Sequence, residues 1–136
     1  MKRLVFFSFV FPLIVLASDI DVNIVNIKNL IGKLYVGLYT SEDTFAIVGK
    51  AYQSEVMNTA ASIKYTFKNI PDGIYAIALF HDENQNAKLD ENMLGIPKEG
   101  FGFSNNPKAT FSEPTFDEAK FVLKNLKNLY IEVQYK

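Results

Sequence analysis

Cysteine and tryptophan are absent from this 136-residue chain, and histidine occurs once. Without cysteine there is no disulfide, no thiolate metal centre, no thiol nucleophile and no residue for a lipid to be attached to behind a leader segment. With a single histidine and no thiol, a transition-metal centre is disfavoured, and any bound ion is expected to be a hard one held by oxygen. No run of lysine or arginine occurs and the formal net charge is −1, so nucleic acid and anionic membrane surfaces are poor partners. No apolar run reaches the roughly 20 residues of a bilayer-crossing helix.

The apolar run that does occur is at the start. Lys2 and Arg3 precede residues 4–16, which are uncharged and apolar, and Val15, Leu16 and Ala17 offer a small residue at a cleavage position. This reads as a secretory signal peptide over residues 1–18; the competing reading is a retained membrane anchor, for which the run is short. Cutting after Ala17 or Ser18 leaves one domain, 19–136, with 12 basic and 15 acidic residues and a net charge of −3. The expected location is periplasmic or secreted, with no transmembrane segment after cleavage. An exported domain without disulfides is held by its core, by a metal, or by both.

The remaining pattern has a period of two. Ile20, Val22 and Ile24 alternate with Asp21 and Asn23; Leu34, Val36 and Leu38 with Tyr35, Gly37 and Tyr39; Ile63, Tyr65 and Phe67 with Lys64, Thr66 and Lys68. Residues 50–56 read as an edge strand. Pro71, Asp72 and Gly73 form a turn, and residues 74–80 follow as a strand apolar on both faces, hence central. Its Tyr75, Ile77 and Leu79 suit a core, whereas Ala76 and Ala78 leave a shallow surface for another segment to cover. Residues 119–123 and 129–135 read as a closing pair. About seven short strands and no long helical stripe predict an all-β fold, an antiparallel two-sheet sandwich of the immunoglobulin or transthyretin kind.

Between these strands lies a polar stretch too long for an ordinary hairpin loop. Asp82, Asn84, Asn86 and Asp90 stand at relative positions 1, 3, 5 and 9 of a calcium loop, with Lys88 at position 7 supplying a backbone carbonyl and Leu89 an apolar anchor. Calcium requires six to eight oxygens, and alternate residues of a tight loop can turn short oxygen-bearing side chains to one centre. Ala87 stands where glycine is expected and Met93 where a bidentate glutamate is expected. With two Asp and two Asn the site falls in the weak extracellular class, with Kd on the order of 10⁻⁴–10⁻³ M. The competing reading is a metal-free run of Asx turns. His81 beside Asp82 suggests a general base, or a strand-end residue packed at the rim. Beyond it, Gly95, Pro97, Gly100, Gly102 and Pro107 define a specific backbone path. Phe101, Phe103, Phe111 and Phe116 along it read either as an aromatic platform for a ligand such as a sugar, or as rings that dock the segment over Ala76 and Ala78.

The residues Phe67, Ile70, Pro71, Gly73, Tyr75 to Asp82, Asn84, Asn86, Leu89 and Asp90, continuing through Leu94 to Asn106, resemble the bacterial domain-of-unknown-function 2141 family over essentially all of residues 19–136. The resemblance implies a small exported β domain and brings no catalytic residues; relatives often carry glycine at the place of Ala87. The shorter run from Phe67 to Tyr75 is similar to transthyretin-like and collagen-adhesin modules, a likeness of fold alone. Transthyretin-like hydrolases use several histidines and a distinctive C-terminal tail that this chain lacks.

Together these readings describe an exported cell-envelope module that binds a protein or small ligand, with calcium at Asp82, Asn84, Asn86, Lys88 and Asp90. The alternatives are a hydrolase using His81 with neighbouring acids, and an envelope protein with a purely structural role.

Overall fold

The computed structural model describes residues 9–110 and 112–136. Eight strands occur in chain order: β1 (Ala17–Val25), β2 (Lys33–Tyr39), β3 (Gln53–Asn58), β4 (Ile63–Pro71), β5 (Gly73–Asp82), β6 (Gly100–Phe103), β7 (Phe121–Leu123) and β8 (Lys127–Glu132), with a short helix α1 (Phe116–Ala119) before β7. They form two sheets. One has the order β4-β1-β8; the other has the order β3-β2-β5-β6, with β7 also pairing β5. The all-β two-sheet sandwich is therefore present. All pairings are antiparallel except β1 with β8, which run parallel from Ile20 opposite Lys127 to Val25 opposite Glu132.

The main core lies between the sheets. Ile20, Val22 and Ile24 of β1 meet Leu34, Val36 and Leu38 of β2 and Tyr75, Ile77 and Leu79 of β5, joined by Phe67, Ile70, Leu123 and Ile131. The residues of β1, β2 and β5 and Phe67 of β4 lie on the faces that alternation marks as apolar. Burying an aliphatic side chain of this size contributes roughly 1.5–3 kcal/mol, which lets a cysteine-free chain of this length hold its sheets together. Between Ser18 and Ile20 the register with β4 shifts by one residue. Asn69 takes up the extra position with φ 55°, and its N–H donates to Asp19 Oδ1 at 3.0 Å.

A second core covers the outer face of β5. Ala76 and Ala78 are overlaid by Tyr39, Phe45, Phe101, Phe103 and Phe116. Phe45 stands edge-on to both Tyr39 and Phe116, with centroids 5.7 Å apart in each case. Glu42 Oε2 accepts the Phe116 N–H at 2.8 Å, and Thr115 and Glu118 close a capping box on α1. The expectation that rings dock over the two alanines thus holds for Phe101, Phe103 and Phe116; Phe111 lies outside the described residues, as do Lys2, Arg3 and the first part of the leader segment. Residues Phe9 to Leu16 are exposed and join neither core.

Several boundaries differ from the sequence reading. β6 lies inside the stretch read as loop, because four residues with glycine at alternate places present no apolar alternation on the inner side. Ala119 ends a helical turn rather than starting a strand, β3 begins at Gln53, and β8 begins at Lys127. The glycines of β6 are explained by approach: a Cβ on Gly100 would lie 2.5 Å from the Tyr135 ring and 2.7 Å from Val133 Cγ1. Gly100 and Gly102 let β6 close on the opposite sheet while Phe101 and Phe103 fill the outer core. Phe101 and Gln134 then exchange backbone hydrogen bonds at 3.0 and 2.7 Å, tying β6 to the chain beyond β8. Gly100→Ala should destabilise the fold by about 1–3 kcal/mol, read as a lower midpoint in urea with an unchanged slope.

Candidate functional site

The polar loop leaves the sheet at Asp82, the last residue of β5. Asp82 is fully buried, and its side chain is spent on the backbone of the loop it opens: Oδ1 accepts the Asn86 N–H at 3.1 Å and Oδ2 accepts the Ala87 N–H at 2.9 Å. Asn84 Oδ1 also accepts the Asn86 N–H, at 3.1 Å. The side-chain amides of Asn84 and Asn86 both donate to the Asp90 carboxylate, Asn86 at 3.0 Å to each oxygen. Asn86 Oδ1 accepts the Lys88 N–H at 3.0 Å. Asp82, Asn84, Asn86 and Asp90 therefore form one connected cluster. Lys88 contributes its backbone N–H to it.

The turn is tight enough to require left-handed backbone. Gln85 has φ 60° and Ala87 φ 61°. Ala87 thus occupies the conformation for which glycine is expected at this position, at the steric cost of its Cβ. That cost is met by the Asp82 carboxylate, which holds the Ala87 N–H.

Glu99, which carried no signal in the spacing of the loop, closes it from below. It is 5 % exposed; Oε1 accepts the Glu83 N–H at 2.9 Å and Oε2 the Asp90 N–H at 3.0 Å. One carboxylate thereby bridges both ends of the loop to the residue preceding β6. The Asp90 carbonyl accepts the Lys98 N–H at 2.8 Å, and Asn92 Oδ1 accepts from Leu94 and Ile96, which orders the next turn. Glu99 was visible only as an acid embedded in a glycine- and proline-defined path; its reach back to Glu83 has no periodic signature.

His81 is fully buried with both ring nitrogens engaged. Nε2 lies 2.7 Å from the Ile31 carbonyl, which can only accept, so Nε2 carries the proton and Nδ1 accepts the Tyr135 hydroxyl at 2.9 Å. The Tyr135 oxygen in turn accepts the Lys28 N–H at 3.0 Å. Burial is the main cause of a raised Tyr135 phenol; the Lys28 hydrogen bond opposes it and the charge of Glu83 adds to it. His81 fastens the turn before β2 to the end of β5. Gly32 (φ 77°) completes that contact, since a Cβ there would sit 2.0 Å from the Asp82 carbonyl oxygen.

The electrostatics of this end of the sandwich are one-sided. Among the described residues the only ion pair is Lys120 with Asp117, so no lysine or arginine neutralises Asp82, Glu83, Asp90 or Glu99. Among the same residues no three His, Cys, Asp or Glu side chains gather at one point, so a cation here would draw on amide and backbone oxygens besides carboxylates.

Ala87→Gly should stabilise the domain by roughly 0.5–1 kcal/mol, because relief of the left-handed alanine exceeds the added freedom of the unfolded chain. A raised thermal midpoint checks this; a lower one would show that Ala87 is unstrained.

Ser104, whose sequence context carries no nucleophile motif, anchors the far end of β6: its Oγ donates to the Ala119 carbonyl and accepts the Ile77 N–H at 2.8 Å. The segment from Asp82 to Ser104 is thus attached to β5 at both ends. Comparison with curated proteins and with solved structures finds no match. A model of an uncharacterized protein family conserved in bacteria (DUF2141) matches residues 22–130, and the chain belongs to that family.

Proposed function

We propose that this chain is an exported binding or accessory module of the bacterial cell envelope, in which loop 82–90 holds a structural calcium ion and so fixes the segment 95–106 against the sheet. The observation that carries the reading is the convergence of Asp82, Asn84, Asn86 and Asp90 through shared hydrogen bonds, with no ion pair to either carboxylate among the described residues. A hard cation would be held by the two carboxylates, the two amide oxygens and the Lys88 carbonyl, and would supply the direct charge partner that no lysine or arginine among the described residues gives these carboxylates. Two Asp and two Asn suit the calcium concentrations found outside cells.

Export is supported by the leader segment. Its residues Phe9 to Leu16 are exposed and pack in neither core, whereas Ala17 and Ser18 open β1 opposite Pro71 and Ile70, so cleavage after Ala17 or Ser18 would take only the first pairings of that strand. No helix among the described residues is long and apolar enough to cross a membrane. A binding role is favoured over hydrolysis because His81 is buried with both nitrogens occupied, and neither partner, a tyrosine hydroxyl and a carbonyl, is a carboxylate that would orient a base.

About 10 mM calcium stands roughly 10- to 100-fold above a Kd of this class and should stabilise the protein by about 1.4–2.7 kcal/mol, a rise of roughly 5–10 °C in Tm over protein in chelator. Asp90→Asn should abolish most of that rise. Identical melts in calcium and chelator would contradict the proposal.

A further inference from the structure

We propose that the cleft on the outer face of the five-stranded sheet binds an amphipathic cation, a molecule with an alkyl or aryl body lying in the cleft and one ammonium group seated between Glu113 and Glu91. This rests on the reading of the domain as a binding module and is independent of calcium in loop 82–90.

The cleft is built by cross-strand pairs. Gly37 of β2 lies opposite Ala78 of β5, and these two small residues make low ground beside the pair Tyr35 and Phe80, whose rings stack at 4.7 Å and 10°. Phe101 and Phe103 of β6 continue the apolar wall. The space enclosed is about 260 Å³. A neighbouring cavity of about 390 Å³ shares Leu89, Phe101 and Glu113 with it and is lined also by Glu91. The two spaces adjoin at Leu89, Phe101 and Glu113, one walled by aromatic rings and the other lined by both glutamates.

Charge selects the ligand. Among the described residues the aromatic-walled space is lined by no lysine or arginine. Lys136 reaches the second cavity, but its Nζ donates to the carbonyls of Ala109 and Thr110. Partial desolvation by the cleft walls pushes the carboxyl of the otherwise exposed Glu113 up, and the charge of Glu91 pushes it further the same way. An ammonium group between them would reverse that second effect. The faces of Tyr35, Phe80 and Phe101 carry negative quadrupole charge and also favour a cation. An acyl chain ending in a carboxylate would bring its charge beside both glutamates, opposed among the described lining residues by Lys136 alone, and is expected to bind more weakly.

The test is an amide chemical-shift titration of the protein with three chain-matched probes, octylamine, octanol and octanoate, each kept below its aggregation threshold. Octylamine should shift Gly37, Ala78 and Phe101 and bind about tenfold more tightly than octanol, with octanoate weakest. Glu113→Gln, at an exposed position, should remove about that tenfold advantage and leave octanol unchanged; Ala78→Leu, which fills the cleft floor, should weaken both. Octanol or octanoate binding as tightly as octylamine, or an unchanged affinity in Glu113→Gln, would overturn the cation assignment while leaving a binding module for another ligand. If none of the three moves a cleft amide, both this assignment and the binding reading of the cleft fail.

Discussion

A buried carboxylate organises the functional end of this domain. Asp82 terminates the central strand, is fully withdrawn from water, and accepts two backbone N–H groups from the loop that follows it. Hydrogen bonds to a charged acceptor contribute about 1.5–3 kcal/mol each, and a buried charge without them would cost several. The loop therefore cannot open without exposing that cost. Two residues are driven into left-handed backbone by it, one of them an alanine. Glu99 repeats the device on the other side, joining Glu83 and Asp90 to the start of β6. Rigidity at this end thus comes from carboxylate-to-backbone bonds rather than from apolar packing.

The strand that ends in Asp82 also divides the molecule. Tyr75, Ile77 and Leu79 face the core between the sheets, whereas Ala76, Ala78 and Phe80 face outward beneath a second layer of aromatic rings. β6 is arranged in the same way, with glycines toward the opposite sheet and phenylalanines outward. The order of the polar segment is thereby coupled to the outer cleft. Asp82 and Glu99 set where β6 begins, and β6 sets where Phe101 and Phe103 stand. A ligand in the cleft and an ion in the loop would act on the same short strand from its two sides.

Much of the fold was legible because period-two alternation survives wherever one sheet face is buried. The strands from Ile20, Leu34, Ile63 and Ile74 were read for that reason, and the double-sided apolar character of residues 74–80 correctly marked a central strand. β6 was not legible, since its inner positions are glycines whose role is to have no side chain. The parallel pairing of β1 with β8 was also hidden, because alternation specifies which face is buried and not which neighbour lies alongside. In the loop, the spacing of Asp82, Asn84, Asn86 and Asp90 did identify residues that meet. The roles of Glu99 and Ser104 were not legible because they act across 16 and 27 residues of sequence, through backbone groups that leave no mark on composition.

Hydrogen exchange at individual amides tests the role of the buried carboxylates most directly. If Asp82 and Glu99 hold the loop, the amides of Glu83, Asn86, Ala87 and Asp90 should exchange on the order of a hundredfold or more slowly than in an unstructured peptide, although Asn86 and Ala87 lie on the surface. Exchange of those four amides at the rate of a free chain, with the strand amides of β5 still protected, would contradict the claim that this end of the molecule is held by its carboxylates.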